Sequence, residues 1–455
     1  MHGFCEAKLI FYALIIPLIS YIINAINKLL FLSELYLMSN KTTPPSLFKI
    51  IIIGLIGNMM EWYDFAVYGY FATIIARLFF PMTDPAVSLI ASFGAFAAGF
   101  LMRPIGGLVF GRIGDLVGRQ KAMTLSVIAM AAPTILMAFL PTYETVGVLA
   151  PILLIALRML QGLSVGGEYT SSLIFLAENA PKNRRAFTAV WGAWGASAGI
   201  LLGSGVGLLV SSLLEDTQLL NWGWRLPFAI GGFVALTGWW IRSHMHVEMP
   251  VALTASPVTD IFTRYRRDVL RVALLNIGHG VAFYTTFVYA VSYIRNIDKL
   301  SESIALELNT LAMLVLLLVM PLSAWLSDRY GRKNLLLIST TLLTIMAIPL
   351  FELIHSSNEY HILIGEILFA VMVGMVGGGI VALNVELMPV AVRCTGLAFA
   401  YNASIGLFGG TSPLIAAWLI NYTGNQIAPA YWVVTAASIS LLTLVFWVKE
   451  PPNQE

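Results

Sequence analysis

The sequence predicts an all-α membrane protein made of two similar halves. Three observations predict it: a composition too apolar for a water-facing surface, apolar runs of bilayer length along the whole chain, and one short charged signature that occurs twice. Of 455 residues, 58% are hydrophobic and 11% charged, whereas soluble chains carry about 25% charged residues. The mean hydropathy is +0.82. A net charge of +2 with no basic stripe outside short loops argues against a nucleic-acid partner. Cys5 and Cys394 stand far apart in apolar or membrane-edge settings, which argues against a disulfide framework or a zinc site.

Apolar stretches near the ~20 residues that cross a bilayer place twelve spans from Phe48 onward. The first half holds approximately 48–78, 86–110, 122–141, 147–177, 187–214 and 226–241. The second holds approximately 270–294, 304–326, 334–354, 361–388, 396–421 and 430–448. The implied organisation is an extension over 1–47, a six-helix half over 48–241, a central cytoplasmic linker over 242–269, a second half over 270–449 and a tail over 450–455. Basic residues test the alternation. Arg112, Arg119, Lys121, Lys182, Arg184, Arg185, Arg242, Arg264, Arg266, Arg267, Arg271, Arg329, Arg332, Lys333 and Arg393 fall in loops of one side. The other side holds only Arg77, Arg225, Arg295 and Lys299. The positive-inside rule then puts both termini in the cytoplasm. Leu9 to Ile26 resembles a further span or a signal segment without a clear cleavage site. Met38, followed by the polar leader Ser-Asn-Lys-Thr-Thr-Pro-Pro, is the expected natural start.

The repeated signature reads Gly111-Arg112-Ile113-Gly114-Asp115-Leu116-Val117-Gly118-Arg119-Gln120-Lys121 in the first half. In the second it reads Ala324-Trp325-Leu326-Ser327-Asp328-Arg329-Tyr330-Gly331-Arg332-Lys333. The copies lie roughly 210 residues apart, as a duplication would place them. Glycine allows the sharp reversal, Asp suits capping of the following helix, and the arginine offers a fork for a carboxylate on a neighbouring helix end.

These loops resemble the signature of the major facilitator superfamily. Within it the chain is similar to the metabolite:proton symporter family, which includes carriers of citrate, oxoglutarate, shikimate, proline and betaine. The residues that carry the resemblance begin with Gly57-Asn58, Glu61-Trp62-Tyr63-Asp64-Phe65, Arg103-Pro104-Ile105-Gly106, Arg158-Met159-Leu160-Gln161-Gly162 and Gly166-Gly167-Glu168. They continue with Trp222-Gly223-Trp224-Arg225, Glu386 with Pro389 and Arg393, Tyr401-Asn402 and Phe408-Gly409-Gly410-Thr411. The resemblance implies a twelve-helix major facilitator fold with two six-helix halves around a central cavity. It also implies a cytoplasmic gate built from Gly111, Asp115, Gly118, Arg119, Asp328, Gly331 and Arg332. Leu116 stands where the family has a basic residue, and Ala324 where it has glycine.

Ionisable groups in apolar spans are costly and mark functional candidates. Asn58, Glu61, Asp64 and Tyr68 fall on one stripe of the first span; Arg158, Gln161, Glu168 and Ser172 share a face of the fourth. Asp64, Glu61 and Glu168 are the candidates for proton coupling. Arg103, Arg158, Gln161, Tyr68, Asn58, Tyr401 and Asn402 are those for substrate binding, the arginines as clamps on a carboxylate. Asn276 and His279 share a helix face, and a lone histidine there reads first as a packing donor. Glu386 is expected to pair with Arg393 or an inner-loop arginine.

The expected activity is proton-coupled symport of a small, carboxylate-bearing metabolite, either an organic acid or a proline/betaine-type osmolyte. The expected setting is a monomer in a bacterial inner membrane, without a cofactor and driven by the proton gradient. Alternatives are a transporter-like sensor or channel, and an intramembrane hydrolase at Ser164. That serine lies in Gly162-Leu163-Ser164-Val165-Gly166, a string whose hydrolase form needs a strand before it. His244, His246 and Glu248 lack a fourth metal ligand, and no nucleotide-binding loop is present. The absence of a long charged helix after Glu450 tilts against osmotic regulation.

Overall fold

The computed structural model describes residues 47–449 apart from 84, 244–255, 297, 299 and 301. Every regular element among the described residues is helical. The Met38 start, the leader and the His244, His246, Glu248 group lie outside them.

The described residues run through twelve helical columns in order. They are α1 (Leu47–Tyr70, continued by Ala72–Phe79), α2 (Pro85–Leu116), α3 (Arg119–Ala138), α4 (Leu149–Glu178), α5 (Arg185–Leu213) and α6 (Arg225–Ser243). Next come α7 (Arg266–Tyr284, continued by Ala290–Asn296), α8 (Glu302–Tyr330), α9 (Arg332–Ile354) and α10 (Glu359–Leu387). Last are α11 (Arg393–Ser404, continued by Ser412–Thr423) and α12 (Ala428–Phe446). Three π-helical segments occur among the described residues: Leu219–Gly223 at the entry to α6, Thr285–Tyr289 in α7 and Ile405–Gly409 in α11. Among the described residues, 11 helices are long and apolar enough to cross a membrane. The remaining column, α6, holds glycines, a proline and two adjacent tryptophans.

Each expected span falls on one column, with two corrections. The second span continues past residue 110 to Leu116, so Gly111 to Asp115 form a last helical turn rather than a loop. The central linker is not all loop: Pro257–Phe262 is a short helix with proline in its first turn. Its Ile261 is fully buried, and Phe262 meets Phe399 of α11 edge-on at 5.0 Å.

Packing explains the sequence's glycines. In the first half α1 lies on α5, α2 on α4, and α3 on α4 and α6; in the second α8 and α9 lie on α10, and α7 and α9 on α12. Between these sets α2 meets α11, and α5 meets α8 and α10. Lipid tails are as apolar as leucine, so close backbone approach is the main source of helix–helix attraction. A Cβ added to Gly162 of α4 would overlap the carbonyl of Gly99 of α2, and one on Gly166 would overlap that of Arg103. The outward surface is apolar, with Leu101, Phe139 and Leu318 each at least 75% exposed. That is the inverse of a water-soluble fold. Prolines at 104, 133, 321 and 349 lie inside helices, and the carbonyl of Leu317, freed by Pro321, accepts from Trp194 Nε1 at 2.9 Å.

At the face opposite the signature, Asp298 after α7 meets Nδ1 of His355 after α9 at 2.9 Å. Burial pushes the Asp298 carboxyl up to about 6, against the opposing pull of His355. An unfolded Asp titrates near ~3.9, so folding favours the protonated form. The stability this group contributes is full below about pH 4 and is lost as pH rises through about 6.

Two outcomes are expected for purified protein. Gly162→Val forces α2 from α4 and lowers stability by at least about 3 kcal/mol, read as loss of the monodisperse folded fraction. Asp298→Asn lacks the titration, so its melting temperature relative to the parent rises between pH 4 and pH 7. A difference that falls over that range contradicts the account.

Candidate functional site

The two signature copies join the halves rather than cap their own following helices. Asp115, in the last turn of α2, accepts from the backbone N–H of Cys394 at 3.0 Å and of Thr395 at 2.9 Å. It also accepts from the Thr395 hydroxyl at 2.7 Å. Asp328, in the last turn of α8, accepts from the N–H groups of Ala186 at 2.9 Å and Phe187 at 2.8 Å. Each carboxylate therefore meets the open donors and positive dipole end of a helix in the other half, α11 or α5. The expected capping of α3 and α9 is corrected by φ: Gly118 at 112° and Gly331 at 96° begin those helices, and the chain turns there in a region closed to other residues.

The arginines close the arrangement. Arg119 bridges Glu178 at the end of α4 at 3.0 Å, and Glu178 also holds Arg393 of α11 at 2.8 Å. In the second copy Arg332 holds Asp328 at 3.0 Å and Glu386 at 3.3 Å. So Glu386 pairs with the inner-loop arginine, and Arg393 goes to Glu178. Gly111 packs against the Thr395 backbone, where a Cβ would sit 2.6 Å from its Cα. Ala324 is fully buried, its amide facing Gly378 of α10 where only a small residue fits.

The polar residues of α1 and α4 gather inside the first half. Arg158 and Asp64 form an ion pair at 3.0 Å, each about 1% exposed or less. Gln161 donates to Asp64 at 2.8 Å and lies 2.9 Å from the Thr134 hydroxyl. The Arg158 guanidinium lies over the Tyr68 ring at 3.8 Å, and the Tyr68 hydroxyl donates to the carbonyl of Ser92. Asn58 donates to Ser172 and to the carbonyl of Gly192, tying α1 to α4 and α5. Glu168 accepts from Ser126 of α3. Ser164 donates to the carbonyl of Ser126 at 2.6 Å within an uninterrupted helix, so the strand-to-helix elbow of a hydrolase is not there.

Between the halves lies a cavity of about 40 Å³, walled by Trp62, Tyr169, Phe283, Tyr284, Tyr401 and His279 among others. That is room for a few waters. Tyr169 and Tyr401 stack across the divide with centroids 4.8 Å apart. Arg103 sits one layer behind, its guanidinium 5.4 Å from the Trp62 ring and 5.1 Å from Phe100. Its Nε donates to Asn402 Oδ1 at 3.3 Å, while Asn402 reaches the carbonyl of Gly166 at 2.7 Å. Arg103 and Tyr284 lie within reach of each other, yet Nη1 and Nη2 of Arg103, Nε1 of Trp62, the hydroxyl of Tyr284 and Nδ1 of His279, all buried, complete no hydrogen bond of good geometry among the described residues. Buried polar groups are almost always paired, so a cluster of poorly satisfied ones just behind a cavity wall marks a place for a polar guest.

Of the residues singled out from sequence, Tyr401 lines this cavity, and Arg103 and Asn402 stand directly behind it. Asn58, Asp64, Tyr68, Arg158, Gln161 and Glu168 are in the first-half core, away from the cavity wall in this conformation. Glu61 is buried one residue from Trp62, within electrostatic reach of Tyr169. The aromatic wall is invisible in the sequence because Trp and Tyr in apolar helices carry no mark separating lining from packing. Glu366 of α10 also escapes the sequence reading; it is fully buried, with neither oxygen hydrogen-bonded among the described residues.

Comparison with known proteins agrees with this geometry. Residues 50–246 match the family described as "Sugar (and other) transporter", and 272–455 match "Major Facilitator Superfamily". The proline/betaine transporter of Escherichia coli K12 is 36% identical, over 89% of this chain and 84% of its own length. The chain belongs to the major facilitator superfamily. Within that superfamily it is also similar to the glycine betaine/proline/ectoine/pipecolic acid transporter OusA of Dickeya dadantii, at 37% identity over 89% of this chain and 84% of the relative. Among solved structures the proton:xylose symporter XylE bound to 6-bromo-6-deoxy-D-glucose aligns with a TM-score of 0.75 at 18% identity, covering 90% of this chain and 97% of that one. The human organic anion transporter MFSD10 aligns with a TM-score of 0.61 at 16% identity, covering 88% and 99%. This member of the superfamily is a multi-pass secondary transporter rather than an enzyme, which removes the hydrolase reading.

The inter-half caps can be tested with a native reporter, since Cys394 is 1% exposed beside Asp115. Asp115→Ala removes a charged acceptor, a loss that raises the open population roughly tenfold to a hundredfold. Alkylation of Cys394 by a membrane-permeant maleimide, followed by peptide mapping, is expected to accelerate accordingly. An unchanged rate in a folded variant contradicts the role.

Proposed function

We propose that the chain is a proton-coupled symporter of a small zwitterionic osmolyte of the proline or betaine kind. It works as a monomer in a bacterial inner membrane with both termini in the cytoplasm. Two six-helix halves, 48–241 and 270–449, alternate access to the cavity between them. The observation that carries this reading is the set of incompletely hydrogen-bonded polar groups of Arg103, Trp62 and Tyr284 at and just behind the wall of an aromatic cavity. A carboxylate satisfies those donors, while the faces of Trp62, Tyr169, Phe283 and Tyr401 attract the ammonium end. The named substrates of the 36–37% identical relatives have this charge pattern.

The signature face is the cytoplasmic one, and with both caps made the halves are latched there. Asp64 is the proton carrier, with Glu61 and Glu168 as further candidates. Without its proton Asp64 holds Arg158 across α1 and α4; with it the pair is lost and the guanidinium must find another acceptor. Breaking such a buried pair costs about 3–5 kcal/mol, enough to couple protonation to the relative position of α1 and α4. Arg158, Gln161, Tyr68 and Asn58 then act on substrate through this cluster. Arg103, Tyr401 and Asn402 act at the cavity.

Uptake into proteoliposomes under an imposed proton gradient tests the reading. The parent is expected to accumulate proline or glycine betaine. Arg103→Gln raises KM by about tenfold or more, as loss of a charged hydrogen bond does. Asp64→Asn abolishes gradient-driven accumulation while leaving exchange of labelled for unlabelled substrate. Undiminished accumulation by Asp64→Asn removes its assignment, and transport of neither compound by the parent removes the substrate class.

A further inference from the structure

His279 is the histidine of the described cavity wall, and the proposed transport cycle leaves it unused. Its ring lies on α7 one turn beyond Asn276, edged against Phe283 with centroids 6.4 Å apart. Its position is fixed from two sides. Asn276 and Asn384 of α10 exchange reciprocal amide hydrogen bonds at 3.0 Å each. On the other side the Gly278 N–H donates to Ser440 of α12 at 2.9 Å. The ring fits because residue 377 of α10 is glycine; a Cβ there would stand 3.1 Å from the imidazole Cε1. Nδ1 is buried and finds no partner among the described residues. The residue as a whole is only partly covered and lines the cavity, so a polar ring held this firmly presents its uncovered edge to a ligand there.

A neutral imidazole has one acceptor nitrogen and one donor, whichever tautomer it takes. Of the cavity's other groups, Arg103 and Trp62 offer donors and Tyr284 a hydroxyl that donates or accepts, and together they suit a carboxylate. His279 adds an uncharged acceptor placed for an N–H-bearing ammonium. A quaternary ammonium has no N–H to give and leaves that nitrogen desolvated without a bond. We propose that His279 is a specificity-determining residue that favours osmolytes with N–H on the charged nitrogen over fully N-alkylated ones. This rests on the zwitterion reading above. Sites built to hydrogen-bond a group reject analogues that lack it far more sharply than apolar pockets reject an extra methyl.

The test uses a pair of substrates that differ only in this respect: proline and N,N-dimethylproline, in proteoliposomes of the full chain. The parent is expected to have the lower KM for proline. In His279→Phe the KM for proline rises about tenfold or more, while that for N,N-dimethylproline stays within about twofold or falls. His279→Asn, which returns a polar atom near the place of Nδ1, keeps most of the proline preference. Melting temperatures of both variants establish that they are folded. Equal changes for the two substrates, no change for either, or a parent that carries only the dimethyl compound overturns the inference. A parent that carries neither overturns the zwitterion reading first.

Discussion

Two carboxylates at helix ends, each accepting the first backbone N–H groups of a helix in the opposite half, hold this molecule in its present shape. A helix start has donors with no partner inside the helix, and in a membrane they cannot be left to water at no cost. Asp115 and Asp328 supply the missing acceptors for α11 and α5. The bond is strong enough to close a face and local enough to be undone without disturbing either bundle. The rest of the junction serves that bond. Arg119 and Arg332 keep the carboxylates and their neighbours Glu178 and Glu386 in register. The left-handed glycines at 118 and 331 turn the chain away from the junction.

The interior of each half obeys a different rule from the junction. Between α2 and α4 the backbones touch at glycines, leaving no side chain to slide or re-pack. Interfaces of that kind move as units. The interface between halves also has close glycine contacts at the signature end, Gly111 on Thr395, but around the cavity it is lined by aromatic planes and by hydrogen bonds from single side chains such as Asn402 and Trp194. Rigid bundles separated by a shallow, separable seam are what a rocking carrier requires. In the proposed cycle the buried Asp64–Arg158 pair, which joins α1 to α4 inside one bundle, is the element that senses charge and passes it to that seam.

Much of this is legible in the sequence because the membrane writes in long units. A span of about 20 apolar residues is hard to mistake, and hydropathy alone locates all twelve columns. The signature is legible because it occurs twice. What Asp115 does is not, since its partner lies 279 residues away at a helix start with no side-chain signal of its own. Position along the chain places Asp64, Arg158 and Gln161 on inward faces. It does not tell an inward face that meets the cavity from one that meets the next helix of the same bundle. The aromatic residues stay hidden for the same reason in reverse. Trp62, Tyr169 and Tyr284 differ from ordinary packing residues only in what stands opposite them.

The π segments in α7 and α11 break the likeness of the halves. Their first-half counterparts, α1 and α5, carry none, and the first half's own π segment, Leu219–Gly223, stands elsewhere, at the entry to α6. A π turn inserts about one residue into a helix of 3.6 residues per turn, rotating the remainder of that helix by about 100°. Past Thr285 and Ile405 the second half is therefore out of register with the first, although at the signature face the two are near copies. The molecule is two-fold at one end and lopsided at the other. Its two closures are thus different mechanical objects, one made of matched caps and the other of unlike surfaces. Nothing obliges them to be equal in energy, so the balance between the two closures is a property the chain itself sets, apart from any gradient.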